Sequence, residues 1–228
     1  TKFAVVNKSK EFQDSFNYFV GEFLHDFGLS MEAVPYLEKV SRKAKDYPRA
    51  QYILGLIAFQ DEGLDTASKV KGASQGFQNA VIAGEEGDNQ GIVDLGYLAL
   101  ARLAYEYQQL DAAIYYYRKI SKNSPKLARA FYESGWSYFL KNDVSRALGT
   151  FHALHSPYFK HHFYPELWIL EATVYVNMCR PKMARQAIKQ FDTRVNSLSV
   201  PLKQMLGKLR TPQDYFKALV GIVKKEKT

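Results

Sequence analysis

Five times along the 228-residue chain a Gly or Ala is followed at a set distance by an Ala: Gly21/Ala33, Gly55/Ala73, Ala101/Ala113, Gly135/Ala147 and Ala172/Ala184. Four pairs are twelve residues apart and one is eighteen. Four places after each second Ala stands a bulky apolar residue (Leu37, Phe77, Tyr117, Phe151, Ile188), and seven places after it another apolar one (Val40, Ala80, Ile120, Leu154, Phe191). Spacings of four and seven put these side chains on one face of a helix. A gap of twelve fits half a helix, a short turn and half a helix. The two small residues would then face each other where antiparallel helices cross, and let the axes approach to the lower end of the usual ~8–10 Å. The second Ala recurs at intervals of 40, 40, 34 and 37 residues, which describes an array of helical hairpins.

The rest of the chain agrees with an all-α reading. No sustained two-residue alternation bounded by turns signals a strand, and no apolar run approaches the ~18 residues of a membrane helix. The single cysteine, Cys179, excludes an intrachain disulfide and leaves the redox compartment open. The chain begins Thr-Lys-Phe, as expected of a mature form or a piece of something longer. Helices are expected near 10–27, 30–44, 48–60, 73–84, 91–107, 111–121, 126–141, 144–155, 165–178 and 181–194, with one or two more in 200–223. The first carries a strongly aromatic stripe of Phe12, Phe16, Phe19, Phe23 and Phe27. Asp61–Gly72 reads as a turn lengthened by six residues, and Pro125, Pro157 and Pro165 fall at connections, where a missing N–H does least harm.

The repeats resemble tetratricopeptide repeats, about five of them, near 14–47, 48–87, 91–125, 126–160 and 165–195. Gln108 to Pro125 is the most faithful stretch, with Ala113, Tyr117, Ile120 and the closing Pro125 in place, and Trp168 stands at the family's aromatic position where Trp136 does not. The longer second turn resembles the looser Sel1-like variant, and the fifth repeat has Glu171 where an apolar residue is usual. The resemblance implies a right-handed superhelical solenoid over 1–199, closed by a basic capping helix and tail over 200–228.

It also implies a protein–protein interaction scaffold with no catalytic residues, no cofactor, no metal and no small-molecule substrate. The first helices of the hairpins would line a concave groove that receives a partner peptide or protein segment. Inward positions would be Tyr18, Glu22 and His25, then Arg49, Tyr52, Leu56 and Phe59, then Leu98, Arg102 and Tyr105, then Arg129, Tyr132, Trp136 and Phe139. The partner-binding set expected from these is Tyr52, Phe59, Arg102, Tyr105, Arg129, Tyr132, Trp136 and Phe139, a concentration of the residue types that dominate binding hot spots. Tyr132 and Trp136 would supply an apolar anchor, with Arg102 and Arg129 favouring an acidic partner. The alternative is that half of these aromatics pack between neighbouring repeats. The Lys/Asn set of a two-carboxylate clamp is not in register.

The net charge of +8 is uneven: from Arg180 onward there are twelve Lys or Arg against three acids, and nineteen against twenty before it. That block is either a solvated cap or an electropositive surface for an acidic partner, a phosphate backbone or an anionic membrane. Nucleic acid is disfavoured because the basic residues are not threaded with exposed aromatics and no nucleic-acid motif appears. Gly72-Ala73-Ser74-Gln75-Gly76 spells a nucleophile elbow but lacks the preceding buried strand, and Ser68…Lys71 lacks companion motifs. His152, His155, His161 and His162 cluster within eleven residues, yet Glu166 is the only carboxylate near them, so packing and polar surface explain them better than a metal centre. Residues 155–180 resemble the linking region of bacterial envelope-associated repeat proteins. That implies a periplasmic or cell-envelope setting, with the cytoplasm, or an accessory arm of a larger envelope enzyme, as alternatives.

Overall fold

The computed structural model describes residues 8–162 and 164–225, which form eleven α-helices and no strand. In order they are α1 (Lys10–Asp26), α2 (Ser30–Leu37), α3 (Tyr47–Gln60), α4 (Thr66–Glu86), α5 (Gln90–Glu106), α6 (Leu110–Tyr117), α7 (Leu127–Leu140), α8 (Val144–Leu154), α9 (Glu166–Asn177), α10 (Pro181–Leu206) and α11 (Pro212–Lys225). None of them is long and apolar enough to cross a membrane. The chain divides into two compact units at His162/Phe163. In the first, hairpins α1/α2, α3/α4, α5/α6 and α7/α8 each pack on the next through α2 on α3, α4 on α5 and α6 on α7. In the second, α9 packs on α10.

One turn geometry recurs at the hairpin tips. After α1 the N–H of Gly28 donates to the His25 carbonyl and that of Leu29 to the Leu24 carbonyl, both at 2.9 Å, with Gly28 at φ +79°. The same pair of bonds and the same positive φ follow α5 at Gln108, α7 at Asn142 and α9 at Cys179, and link α4 to α5 at Asp88. This is the Schellman arrangement, in which a left-handed residue lets the chain reverse while the last carbonyls stay bonded. The next helix therefore starts at once, which sets the twelve-residue spacing. After α3 the chain leaves instead through Asp61 in an extended conformation, and the spacing there is eighteen. The whole of Asp61–Gly72 is not a turn, however. Asp65 accepts from the N–H of Ser68 at 3.0 Å, caps the chain there, and α4 is helical from Thr66.

The small residues make close helix crossings, and at the glycines a bulky side chain comes nearer than the second Ala. A Cβ added at Gly21 would lie 2.6 Å from Leu37, and one at Gly55 would lie 2.7 Å from Phe77; at Gly135 it would overlap the Phe151 ring. The nearest partner of each of these three glycines is thus the bulky side chain four places beyond the second Ala. The Ala carbonyls at 33 and 73 stand slightly farther off, at 3.4 and 3.1 Å. The fifth pair departs from the pattern. Ala172 and Ala184 are buried but Ile188 is 48% exposed, because no helix of its unit packs on that face as the next hairpin does in the first unit. α10 also runs to Leu206 through Pro201 rather than stopping near 194, so one helix spans the expected boundary at 199.

α2 and α6 are shorter than expected for a shared reason. Beyond Leu37 and Tyr117 the backbone tightens into i→i−3 bonds and then meets a carboxylate. Asp14 accepts the N–H of Ser41 at 3.1 Å and also its hydroxyl, and Asp94 accepts the N–H of Ser121 at 3.0 Å. Both aspartates are buried, at 5% and 2% exposure. Burial alone would raise the Asp14 pKa, but the two bonds from Ser41, with Lys10 beside it, outweigh that and hold it below the ordinary value. The core is segmented in the same rhythm, into separate clusters around Leu37, Phe77 and Tyr117.

Candidate functional site

Three successive first helices, α3, α5 and α7, bring five of the eight expected groove residues to one concavity of about 470 Å³. From α3 come Tyr52, Leu56, Phe59 and Gln60; from α5 Ala99, Arg102, Leu103, Tyr105 and Glu106; from α7 Glu133 and Trp136. Phe77 of α4 and Tyr117 of α6 reach between them to form its floor. The first-helix origin follows from the hairpin geometry. Each second helix spends its bulky residue filling the crossing, so Phe77 and Tyr117 are core residues that show only one edge to the cavity. The volume lies in the range of ordinary ligand pockets, and most of the lining is aromatic or aliphatic. Tyr52 packs on Phe77 with ring centroids 5.6 Å apart, and burial raises its phenol above the ordinary value.

Polar groups gather on one wall. The Arg102 guanidinium donates to both oxygens of Glu133, from Nε at 2.8 Å and from Nη2 at 2.7 Å. The Tyr117 hydroxyl donates to Oε2 of the same carboxylate at 3.1 Å, and Arg129 Nε lies 3.4 Å from Oε1. Two parallel bonds from a planar guanidinium to a carboxylate are the strong geometry for such a pair. The Glu133 bonds raise the Arg102 pKa, and burial followed by the Glu133 charge raises that of Tyr117. Both arginines expected to await an acidic partner therefore already face Glu133, and the wall carries a bound internal carboxylate.

Of the eight expected groove residues, Tyr52, Phe59, Arg102, Tyr105 and Trp136 line this cavity, and Arg129, Tyr132 and Phe139 do not. Phe139 instead meets the edge of Trp136, with centroids 6.1 Å apart. Tyr18 and Leu98, read as inward-facing, are core residues; Tyr18 also donates to Glu22 at 2.5 Å. Glu133 is the residue that sequence reasoning missed. Its signal was present: it stands four residues after Arg129 and three before Trp136, on the same helix face.

The other candidate chemistry disperses. Ser74 lies in mid-α4 with its hydroxyl bonded back to the Lys71 carbonyl at 3.1 Å, so no strand-to-helix elbow presents it. His152 and His155 are exposed at the end of α8, and His161 and His162 follow a single 3₁₀ turn at Pro157–Phe159, where His162 meets Phe159 edge-on. Among the described residues no three His, Cys, Asp or Glu side chains are placed to hold a metal ion. Neither a scan against protein-family models nor a search of curated proteins finds a match to this chain.

Proposed function

We infer that the chain is a non-catalytic interaction scaffold built of tetratricopeptide-type hairpins. It receives a segment of a partner protein across α3, α5 and α7, with a bulky apolar side chain of that segment seated among Tyr52, Leu56, Phe59 and Trp136. The observation that carries this is the aromatic-lined concavity to which three consecutive first helices contribute. A mainly apolar lining with a few convergent polar groups is the usual composition of a specific binding site. Because Glu133 already engages Arg102, the partner's anchor is apolar rather than acidic, and the paired wall gives direction to the segment's backbone or polar groups.

The test is selection from a random peptide library displayed against the full chain, followed by measurement with Tyr52→Ala/Trp136→Ala. Truncating aromatic anchors of this kind costs ~2 kcal/mol or more each, so the double variant should weaken binding by roughly several hundredfold while keeping its helical circular dichroism. Enriched peptides that lack a shared bulky apolar residue, or that bind the double variant as well as the parent, would remove this reading.

A further inference from the structure

The last described helix, α11, is divided into two faces. Tyr215, Phe216, Leu219, Ile222 and Val223 recur at the spacing of one helical side, and all lie between 44 and 68% exposed. Lys217 and Lys224, seven residues apart, share one side of the helix, beyond Val220 from that apolar arc. α11 takes part in none of the principal helix pairings of its unit, so its apolar face is not spent on the core. The helix is nonetheless well specified at its start. The Asp214 carboxylate accepts from the N–H groups of Arg210 and Thr211, at 3.2 and 3.0 Å, while the Thr211 hydroxyl accepts from the N–H of Asp214 at 3.2 Å. That reciprocal cap stabilises the first turn without help from packing.

We propose that α11 is an interfacial membrane helix that lies on an anionic lipid surface. Charge selects this occupant. In sequence, residues 203–224 hold five cations, Lys203, Lys208, Arg210, Lys217 and Lys224, and one carboxylate, Asp214, which serves the cap. A second copy would set two such basic segments against each other. A nucleic acid would satisfy the lysines and leave the apolar arc in water. An anionic bilayer satisfies both, taking the aromatic and aliphatic side chains below the headgroups while the lysine stems reach up to them. Fourteen residues of helix are about 21 Å long, short of the ~30 Å hydrocarbon core, so the helix lies in the surface plane rather than across it.

Co-sedimentation of the full chain with large unilamellar vesicles tests this, using phosphatidylcholine alone or with about a third phosphatidylserine. Binding should be at least tenfold stronger to the anionic vesicles and should fall in high salt. Each lysine near such a surface contributes on the order of fivefold, so Lys217→Gln/Lys224→Gln should lose roughly twenty-fold. Phe216→Ser/Leu219→Ser should lose binding as well, although it keeps every charge, with circular dichroism confirming that both variants fold. No binding to anionic vesicles at low salt would overturn the proposal. So would undiminished binding by Phe216→Ser/Leu219→Ser, which would mean adsorption by charge alone. Self-association, or capture of an acidic protein, that depends on these two residues and occurs without lipid binding would assign the face to a protein partner instead.

Discussion

The same substitution at two glycines of one hairpin should change stability in opposite directions. Gly135 lies in α7, and a Cβ added there would sit 2.8 and 2.9 Å from Cδ1 and Cζ of Phe151, a ring with no solvent exposure. Gly149 lies in α8, with nothing within 4 Å of an added Cβ. In a helix interior, Gly→Ala is worth about 1 kcal/mol through backbone entropy alone. At Gly149 that gain stands unopposed, so Gly149→Ala should stabilise by about 0.5–1 kcal/mol. At Gly135 the ring must move, and it is rigid and enclosed, so the overpacking cost falls towards the upper part of the usual 1–3 kcal/mol. Gly135→Ala should therefore lose about 1–2 kcal/mol net. At about 2–4 °C per kcal/mol for a chain of this size, its Tm should fall by roughly 2–8 °C while that of Gly149→Ala rises slightly. Thermal and urea unfolding followed by circular dichroism measure both. Adding Phe151→Leu to Gly135→Ala should recover part of the loss, a favourable coupling that isolates the contact. If Gly135→Ala were as stabilising as Gly149→Ala, the close approach of α7 to the Phe151 ring would be wrong, and with it the account of the repeat spacing.

Replacing the buried Ala113 with Leu should cost about 1–3 kcal/mol by forcing α5 and α6 apart opposite Ala101, read by the same unfolding curves. Gln108→Gly should stabilise by roughly 0.5–1 kcal/mol by relieving a left-handed backbone, and Gly28→Ala should destabilise by a similar amount although its surroundings are open. Asp14, held below its ordinary pKa in the folded chain, contributes stability that is complete above about pH 4 and is lost as pH falls through the folded value. Asp14→Asn should therefore be less stable at pH 7 and show a shallower decline towards pH 3, and parallel pH profiles in urea titrations would refute this.

The helical register was legible because it rests on volume. Only Gly or Ala fits where α1, α3, α5 and α7 are crossed, so the ladder at 21, 55, 101 and 135 marks the hairpins directly. The turns were less legible. Of the five left-handed positions among the described residues, Gly28, Asp88 and Asn142 are residue types that tolerate that backbone, while Gln108 and Cys179 adopt it because the flanking helices over-determine it. The fifth pair misled at Ile188 because a residue's burial depends on what the next hairpin covers, which no local spacing encodes. In the cavity, residue types were readable and pairings were not. Arg102 and Glu133 are 31 residues apart in sequence, and their bond exists only once two hairpins stack.

A comparison within the chain separates what makes the hairpin from what makes the cavity. Residues 10–55 and 90–135 align without a gap at an offset of eighty. Asp14 and Asp94, Ala33 and Ala113, Ser41 and Ser121, Ala50 and Ala130, and Gly55 and Gly135 coincide, and the left-handed residues Gly28 and Gln108 fall in register. These are the buried clamp, the crossing and the turn. The cavity lining does not coincide: Arg102, Tyr117, Glu133 and Trp136 stand where the first copy has Glu22, Leu37, Ile53 and Leu56, and of the polar wall only Arg129 has its match, in Arg49. The first copy folds the same way with an apolar pair at the positions of Tyr117 and Glu133, so the fold itself does not demand the ion pair. Arg102 is half exposed, at 49%, while Glu133 is largely buried, at 17%. The pair holds Glu133 and Tyr117 to one wall of the concavity, an arrangement that the proposed binding site would use and that the hairpin does not need.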